Sequence, residues 1–300
     1  MKVIKLKNII FDLAIFILVI LNVMLIDRIL STNQINNGQL EVTTLDIGQG
    51  DSILIKTPGG KYGLIDTGRF AKVSDELKAV LPFGTNELSF IVLTHPDADH
   101  IGGFKYLADE YKIDKVFINK ANKETQLWAD VKKIIADKQI PNYSMFSNND
   151  FKIGDVNFNV VWPEKGTDLL AFPEVNDTSI TMVISFNDFS IFSGGDLTST
   201  YESKALKDSN ISHIDALKVG HHGSHYSTSN EFLQEFTPTV AMISVGAGNT
   251  YGHPTARVLN DLSANGIKYY RTDLDGRIEL TTDGYSMTIN HQGQIDKFKT

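Results

Sequence analysis

One ten-residue motif in this chain carries four side chains of the kinds that bind divalent metals, directly after a short apolar strand. The motif, THPDADHIGG at residues 94–103, holds His95, Asp97, Asp99 and His100 within six positions. Imidazole nitrogens and carboxylate oxygens are ligands for zinc, manganese and iron, and a strand-to-helix turn can direct them into one pocket. The spacing therefore predicts a divalent-metal site, with a solvated acidic loop as the alternative.

Three further segments that follow predicted strands carry residues of the same kinds. They are FSGGDL with Asp196, LKVGHHGSHYSTS with His221 and His222, and YGHP with His253. Six of the eight histidines fall in these segments or in the first motif. Active-site side chains commonly lie on loops that rigid strands hold in place. The combined pattern predicts one site assembled from several loops.

Three aspartates outside these clusters, Asp46, Asp51 and Asp66, have no single interpretation. Asp66 ends a strand in LIDTG, where it could orient the metal-binding turn from outside the ligand shell or cap the turn at Gly68. The IGQGD segment offers backbone N–H groups that could receive an anion, although a tight hairpin is the simpler reason for its glycines.

The N-terminus has the features of a membrane anchor. An apolar run from Ile9 to Ile26 follows three lysines and contains only two strongly polar residues. Its length is near the roughly 20 residues that span a bilayer, and the preceding lysines favour a cytoplasmic N-terminus. Since no small-residue cleavage site follows, an uncleaved signal anchor is favoured over a removed signal peptide or a buried amphipathic helix.

The predicted organisation has three parts: a signal anchor over residues 1–30, a polar linker over 31–39 and a globular domain over 40–300. This arrangement predicts a single-pass protein of the cell membrane whose globular domain lies outside the cytoplasm.

Composition narrows the chemistry of the globular domain. The 300 residues include no cysteine, so a metal site must use His, Asp, Glu or Asn rather than thiolate ligands. The formal net charge is −8, although residues 1–30 carry four basic and only two acidic side chains. An acidic body is not typical of a protein that follows a nucleic-acid backbone, but a bound cation could still attract phosphates locally.

Short apolar strands alternate with helical segments in both halves of the domain. The pattern predicts helices over Lys72–Val80, from the glycine pair at residues 102–103 to Glu110, and over 123–138, 201–207, Asn230–Phe236 and 255–264. Strand blocks flanked by helices predict an α/β protein with two sheets packed face to face and helices outside.

The set of motifs resembles the metallo-β-lactamase superfamily through THPDADHIGG, LIDTG, SGGD and VGHHGS. The wider set, with LDIGQGDSILI, NDTSI and YGHP, is similar to the branch that includes the C-terminal domain of the ComEC/Rec2 competence proteins. The resemblance runs from about Glu41 to the C-terminus. It implies a four-layer αββα sandwich with two divalent metal ions, zinc or manganese, at one edge of the sheets.

The resemblance also implies a role for each matching residue. It implies metal ligation by His95 and Asp97 at a first position, by Asp99 and His100 at a second, and by Asp196 between the two. One of the adjacent histidines matches the last ligand, and we favour His222. His221 and His253 would then face the substrate as catalytic groups.

Two positions depart from the broad superfamily pattern. Asp97 stands where many members have histidine, and residues 176–179, Asn-Asp-Thr-Ser, occupy a stretch that often supplies another. The competence-like branch shows both features. They make the first metal position richer in oxygen, which is why manganese joins zinc as an expected ion.

The expected function is that of a membrane-tethered, extracytoplasmic hydrolase with two metal ions that acts on a phosphoester or phosphodiester. The substrate could belong to an envelope polymer, a small molecule or a nucleic acid. One alternative is a ComEC-like nuclease domain linked to DNA uptake. Another is a non-catalytic envelope protein with a degenerate metal site. The oligomeric state is left open.

Overall fold

The computed structural model describes residues 13, 15–23, 38–119, 121 and 125–300. The chain divides into two units, Met1–Gly38 and Gln39–Thr300. In the first unit residues 13 and 15–23 are helical, and Gly38, the other described residue, is not. Within the described part of the chain, no helix combines the length and the apolar character that crossing a membrane requires. Most of the predicted signal anchor and most of the predicted linker lie outside the described residues, so both stay predictions.

The described part of the second unit contains 18 strands. In chain order they are β1 (Leu40–Thr44), β2 (Ile53–Lys56), β3 (Tyr62–Ile65), β4 (Glu87–Leu88), β5 (Phe90–Leu93), β6 (Lys112–Ile113), β7 (Val116–Ile118), β8 (Asn142–Ser144), β9 (Phe151–Ile153), β10 (Val156–Trp162), β11 (Thr181–Phe186), β12 (Phe189–Ser193), β13 (Ala216–Lys218), β14 (Val240–Ile243), β15 (Lys268–Arg271), β16 (Ile278–Thr282), β17 (Ser286–His291) and β18 (Gln294–Lys299).

Helices separate many of these strands. They are α1 (Lys72–Val80), α2 (Ala98–Ile101), α3 (Phe104–Glu110), α4 (Gln126–Asp137), α5 (Ser199–Asp208), α6 (Asn230–Phe236), α7 (Ala256–Ala264) and α8 (Thr272–Asp275). Thr125 and Ser229 cap α4 and α6, because each side chain accepts a hydrogen bond from a backbone N–H of the first turn.

The strands form two large sheets and one small pair. The larger sheet has nine strands in the order β18-β17-β16-β1-β2-β3-β5-β7-β8, and the second has seven in the order β15-β14-β13-β12-β11-β10-β9. β4 and β6 form the separate pair. In the larger sheet β3, β5, β7 and β8 run parallel, and in the second sheet β12, β13, β14 and β15 do.

Three apolar cores arrange the sheets and helices in layers. The central core joins the inner faces of both sheets, with Phe90 of one and Phe158 of the other in edge contact at 5.1 Å between ring centroids. A second core packs α1, α3 and α4 on the outer face of the larger sheet. A third packs α5, α6 and α7 on the outer face of the second sheet. The prediction of two packed sheets with helices outside is confirmed.

The β5 strand shows why the apolar run before the metal-binding motif is continuous. Phe90 and Val92 contribute to the core between the sheets, whereas Ile91 and Leu93 contribute to the core under the helices. A strand that is buried on both faces has no polar alternation. The same run therefore fixes the strand in the middle of the fold and aims its carboxyl end at the loop that begins with Thr94.

Most predicted elements are present, with ends that differ by one to three residues. The structure adds β4, β6, β8, β9, β18 and two one-turn helices, α2 and α8, that the sequence pattern did not indicate. β18 is an edge strand with an exposed Ile295, and β8 is a three-residue edge strand at the other end of the same sheet. Neither shows the apolar alternation on which a strand prediction depends.

A buried glutamate links the loops that follow β12 and β13. Glu202 on α5 is fully buried, and its Oε2 accepts a hydrogen bond of 2.7 Å from the backbone N–H of Thr228. Burial raises the pKa of this carboxyl to about 8, because the nearby Arg257 compensates the desolvation only in part. The folded protein therefore holds Glu202 protonated at neutral pH.

Glu202 gives the fold a specific pH dependence. In the unfolded chain the carboxyl ionises near its ordinary pKa of 4.5, but in the folded chain it ionises only near pH 8. A raised folded-state pKa contributes stability below pH 4.5 that is lost as the pH rises towards 8. A glutamine at this position cannot ionise. By pH 7 the free energy of unfolding of the wild type should have fallen by roughly 3 kcal/mol from its value at low pH, and that of Glu202→Gln should not show this fall.

Denaturant unfolding of the wild type and the variant between pH 5 and pH 8 measures this difference directly. Glu231→Gln, at an exposed position on α6, is the matched control and should follow the wild-type profile. Parallel profiles for wild type and Glu202→Gln would contradict the assignment of a neutral Glu202.

Candidate metal centre

The predicted site residues follow the carboxyl ends of parallel strands from both sheets. Asp66 follows β3, the 94–103 motif follows β5, Asp196 follows β12, and the two adjacent histidines follow β13. Ligands of open α/β sheets bind in the crevice outside the carboxyl ends of the strands. Here two such edges meet, so loops distant in sequence share one buried space.

Asp196 lies at the centre of this space, with only 3 % of its surface exposed. Four imidazole Nε2 atoms surround its carboxylate: those of His100 at 3.3 Å, His221 at 3.6 Å, His222 at 3.9 Å and His95 at 4.0 Å. The Nε2 atom of His222 also lies 3.5 Å from Asp99 Oδ2. The structure thus brings together five of the six predicted metal ligands.

Three of these histidines have Nδ1 against a fixed oxygen. His100 Nδ1 lies 2.7 Å from Asp66 Oδ2, and His222 Nδ1 lies 3.0 Å from the Ser244 carbonyl oxygen. Because each of these oxygens accepts the Nδ1 proton, Nε2 is the nitrogen that is left for a metal. His95 Nδ1 lies 3.1 Å from Thr94 Oγ1.

Several buried nitrogen and oxygen atoms of the predicted ligands form no hydrogen bond within the described part of the chain, as expected of atoms that bind a metal. The Nε2 atoms of His95, His100 and His222 and the Oδ1 atom of Asp196 are buried and form no hydrogen bond with the described residues. Buried polar atoms are normally satisfied, so such a group needs an explanation. Metal–ligand distances of about 2.0–2.2 Å in tetrahedral geometry place neighbouring donors about 3.3–3.6 Å apart, close to the distances observed.

Donor atoms within 4.8 Å of one another define three clusters in the described residues. They are His95, His100 and Asp196; Asp99, His100 and His222; and Asp51, Asp66 and His100. The first two share His100, whose Nε2 can bind only one ion, whereas the two carboxylate oxygens of Asp196 lie near imidazoles of both clusters. Asp66 in the third cluster already accepts hydrogen bonds from Thr94 and His100, so it orients ligands rather than supplying one.

The buried carboxylates of the site need nearby positive charge to stabilise them. Burial alone would raise the pKa of Asp196, but the charges of His100 and His222 hold it well below its usual range. Burial conversely opposes protonation of His222, yet Asp196 and Asp51 raise its pKa to about 10. Without a cation the carboxylates therefore retain protons on the imidazoles, and a bound metal would replace those protons.

The two adjacent histidines have different environments. Both take left-handed backbone angles, with φ of 46° for His221 and 54° for His222, a conformation that costs free energy and is typical of functional sites. His222 is buried, whereas the His221 side chain is 26 % exposed. The structure directs the Asn176 amide nitrogen to His221 Nδ1 at 3.3 Å, so the proton of His221 lies on Nε2, facing Asp196.

His253 lies beside His221 at the exposed side of the centre. Their ring centroids are 5.5 Å apart, and Tyr251 stacks on the other side of His253 at 5.9 Å. Burial and the charge of His221 lower the pKa of His253 to about 4, so its ring is neutral at physiological pH. It is in none of the three donor clusters of the described residues.

Asp97, the remaining predicted ligand, is half-buried at the start of α2. Its carbonyl oxygen accepts the backbone N–H groups of His100 and Ile101, and its charge acts on His95. Among the described residues the three donor clusters do not include it. Its backbone therefore shapes the turn that presents His100, and its ligation of a metal stays a prediction.

The structure adds residues that the sequence analysis did not assign. The most buried of these are Asp51 and Lys218, which form an ion pair of 2.8 Å next to His222. Ser179 Oγ lies 3.3 Å from His95 Nδ1, in the stretch where many superfamily members carry a histidine. The sequence did contain a signal for Lys218, because a lysine at the end of an apolar strand and close to a histidine pair is unusual. The local sequence contained no comparable signal for Ser179.

A cavity of about 480 Å³ adjoins His221. Its walls include Glu174, Asn176, the first residues of α5 and Tyr226. The described lining contains no lysine or arginine. Substrate that approaches His221 on this side would therefore meet hydroxyl, amide and carboxylate groups.

Comparison with known proteins agrees with this geometry. The sequence model of the family described as metallo-beta-lactamase superfamily matches residues 45–247. ComE operon protein 3 of Bacillus subtilis and competence protein ComA of Neisseria gonorrhoeae are each 31 % identical over 80 % of this chain. The match covers 32 % of each of those proteins, so the chain spans about a third of their length.

Solved structures show the same fold at low sequence identity. The metallo-beta-lactamase fold protein YhfI of Bacillus subtilis has a TM-score of 0.54 at 11 % identity, with 86 % of this chain and all of that chain covered. Igni18, a metallo hydrolase from Ignicoccus hospitalis, has a TM-score of 0.51 at 13 % identity and covers 87 % of this chain and 99 % of its own. From the family match and the shared fold, this chain belongs to the metallo-β-lactamase superfamily and is similar to the competence proteins.

Proposed function

We propose that this chain is a hydrolase of phosphoesters or phosphodiesters that uses two divalent metal ions, zinc or manganese. The convergence of three buried, unsatisfied imidazole Nε2 atoms on Asp196 carries this proposal.

We also propose that residues 1–30 tether the domain to the outer side of the cell membrane. This second part rests on the apolar run of the sequence, and the test is whether deletion of residues 1–30 releases the protein from the membrane fraction.

In this proposal the two metal positions have different ligand sets. His95 and Asp97 hold the first ion, Asp99, His100 and His222 hold the second, and Asp196 lies between them. The cations would supply Lewis-acid stabilisation of the phosphoryl oxygens and lower the pKa of bound water. The first position has the smaller number of imidazoles, which favours harder ions there.

His221 is the proposed proton donor to the leaving oxygen. Its Nε2 faces the centre, its Nδ1 is held by Asn176, and its partial exposure leaves it accessible to substrate. A positioned acid of this kind lowers the barrier most when the leaving group is a poor one. His253, neutral and adjacent, would contact the same part of the substrate.

Replacement of the central carboxylate tests the metal-dependent mechanism. Asp196→Asn removes the charge between the two positions, so we expect loss of at least one bound metal per chain and a fall of 100-fold or more in kcat/KM. Metal content after dialysis and hydrolysis of bis(p-nitrophenyl) phosphate measure the two effects. Asp188→Asn, at an exposed turn between β11 and β12, is the matched control.

Two results would contradict the mechanism. A purified wild-type chain that retains no zinc or manganese excludes the metal-dependent reaction. Full activity in Asp196→Asn, with metal still bound, would show that the carboxylate does not contribute to catalysis.

The role of His221 predicts a dependence on the leaving group. His221→Gln should keep its bound metal, because His221 is not a proposed ligand, and should lose more kcat on an alkyl phosphodiester than on a p-nitrophenyl diester. The nitrophenolate leaves without a proton, whereas an alkoxide needs one. His222→Ala serves as the contrast, since it should lose metal and lose kcat by a similar factor on both substrates. An equal loss on both substrates for metal-loaded His221→Gln would exclude the acid role.

The likeness to competence proteins supports a second candidate, a nuclease domain linked to DNA uptake. The net charge of −8 and the lack of lysine and arginine in the described lining of the cavity beside His221 weigh against it. Manganese-dependent degradation of single-stranded DNA, compared with cleavage of small and envelope-derived phosphodiesters, separates the two. Rapid DNA degradation with little activity on the other substrates would favour the nuclease.

A further inference from the structure

A fully buried ion pair lies directly behind the proposed metal ligand His222. Lys218 Nζ donates a hydrogen bond of 2.8 Å to Asp51 Oδ2, with 0 % of Lys218 and 1 % of Asp51 exposed. Lys218 also donates to the carbonyl oxygen of Val219 at 2.9 Å. Removing two charges from water is costly, and apolar side chains of similar volume are often as stable at such positions. Core packing alone therefore does not account for the pair.

The free oxygen of Asp51 lies beside the ring of His222. Asp51 Oδ1 is 3.3 Å from His222 Nδ1, and this nitrogen also lies 3.0 Å from the carbonyl oxygen of Ser244. A carboxylate and a carbonyl both favour a proton on Nδ1, which leaves the lone pair on Nε2. Nε2 is the atom that faces Asp99 and Asp196.

The backbone of Asp51 is equally constrained. Its N–H donates to the Asp99 carbonyl oxygen at 3.1 Å, and Ser244 Oγ donates to the Gly50 carbonyl oxygen at 2.6 Å. A Cβ on Gly50 would lie 2.3 Å from the Asp99 carbonyl oxygen, and the φ of Gly50 is +129°. Gly50 of IGQGD therefore permits a close approach to the metal-binding loop as well as a tight turn.

Through these contacts Asp51 joins the two halves of the site. The turn between β1 and β2 and the loop with Asp99 belong to the larger sheet, whereas Lys218 ends β13 and Ser244 follows β14 of the second sheet. The position of His222 relative to Asp99 thus depends on a contact that crosses between the sheets.

We propose that Asp51 and Lys218 are positioning residues for His222: the ion pair holds the Asp51 carboxylate against Nδ1, so that Nε2 is aimed at the metal. The inference rests on the proposed metal-dependent function. It predicts that the pair sets the affinity of the second metal position and contributes little to the stability of the fold.

The double variant Asp51→Leu/Lys218→Met separates these two effects. Removal of both charges leaves no unpaired buried ion, so the midpoint of denaturant unfolding of the metal-free chain should stay near the wild-type value. The dissociation constant for Zn²⁺ at the second position, which His222 is proposed to ligate, should rise about 10-fold to 100-fold, the usual effect of losing an outer partner of a ligating histidine. Competition with a chromophoric chelator measures the affinity, and the Co²⁺ absorption spectrum reports the ligand geometry.

The Glu41→Leu/Lys56→Met variant is the matched control, because this ion pair joins β1 and β2, the two strands whose connecting turn carries Asp51. It should leave the Zn²⁺ affinity unchanged. Wild-type Zn²⁺ affinity and Co²⁺ spectrum in Asp51→Leu/Lys218→Met would overturn the positioning role while leaving the proposed function intact. A wild-type chain that binds no divalent metal would overturn both.

A second measurement covers the case in which the double variant does not fold. Long-range ¹H–¹⁵N correlation spectra of the zinc-loaded wild type report which nitrogen of each histidine carries the proton. We expect His222 to carry it on Nδ1. A proton on Nε2 of His222 would overturn the inference without use of any variant.

Discussion

The organisation of this protein depends on the compensation of buried negative charge around Asp196. Four carboxylates, those of Asp51, Asp66, Asp99 and Asp196, share one space at the edge of the two sheets, and three of them are almost fully buried. Unpaired carboxylates are not tolerated in such an environment. Imidazoles, the ammonium of Lys218 and the proposed cations together supply the positive charge, so ligand binding and folding share the same electrostatic balance.

This balance requires neighbouring loops of the larger sheet to approach one another more closely than side chains normally permit. A Cβ on Gly103 would lie 2.0 Å from the Thr67 carbonyl oxygen, and one on Gly50 would lie 2.3 Å from that of Asp99. Gly103 of HIGG and Gly50 of IGQGD therefore serve the same purpose in different loops. Because backbone meets backbone there, the ligands are fixed by hydrogen bonds of the main chain as well as by their own side chains.

The departures from the broad superfamily pattern acquire a physical meaning in this geometry. Ser179, in the stretch that often carries a histidine, contacts Nδ1 of His95 instead of supplying a further imidazole. Asn176 in the same turn contacts His221. The turn thus positions two histidines. This difference supports a first metal position with fewer nitrogen ligands, and an exposed histidine that is oriented towards substrate.

The sequence by itself determined the strands with both faces buried, the amphipathic helices such as Lys72–Val80, and the motifs at the strand ends, because these signals are local in the chain. It did not indicate the exposed edge strand β18, which has little apolar alternation. Only the tertiary structure distinguished His222 from His221, since their burial and Nδ1 partners come from loops far away in sequence. Likewise Asp51 and Lys218 are 167 positions apart, and no local pattern marks a partner at that distance. The sequence alone indicated the residue types that can bind a metal. The contacts between those residues depend on which loops lie together, and the packing of the two sheets determines this.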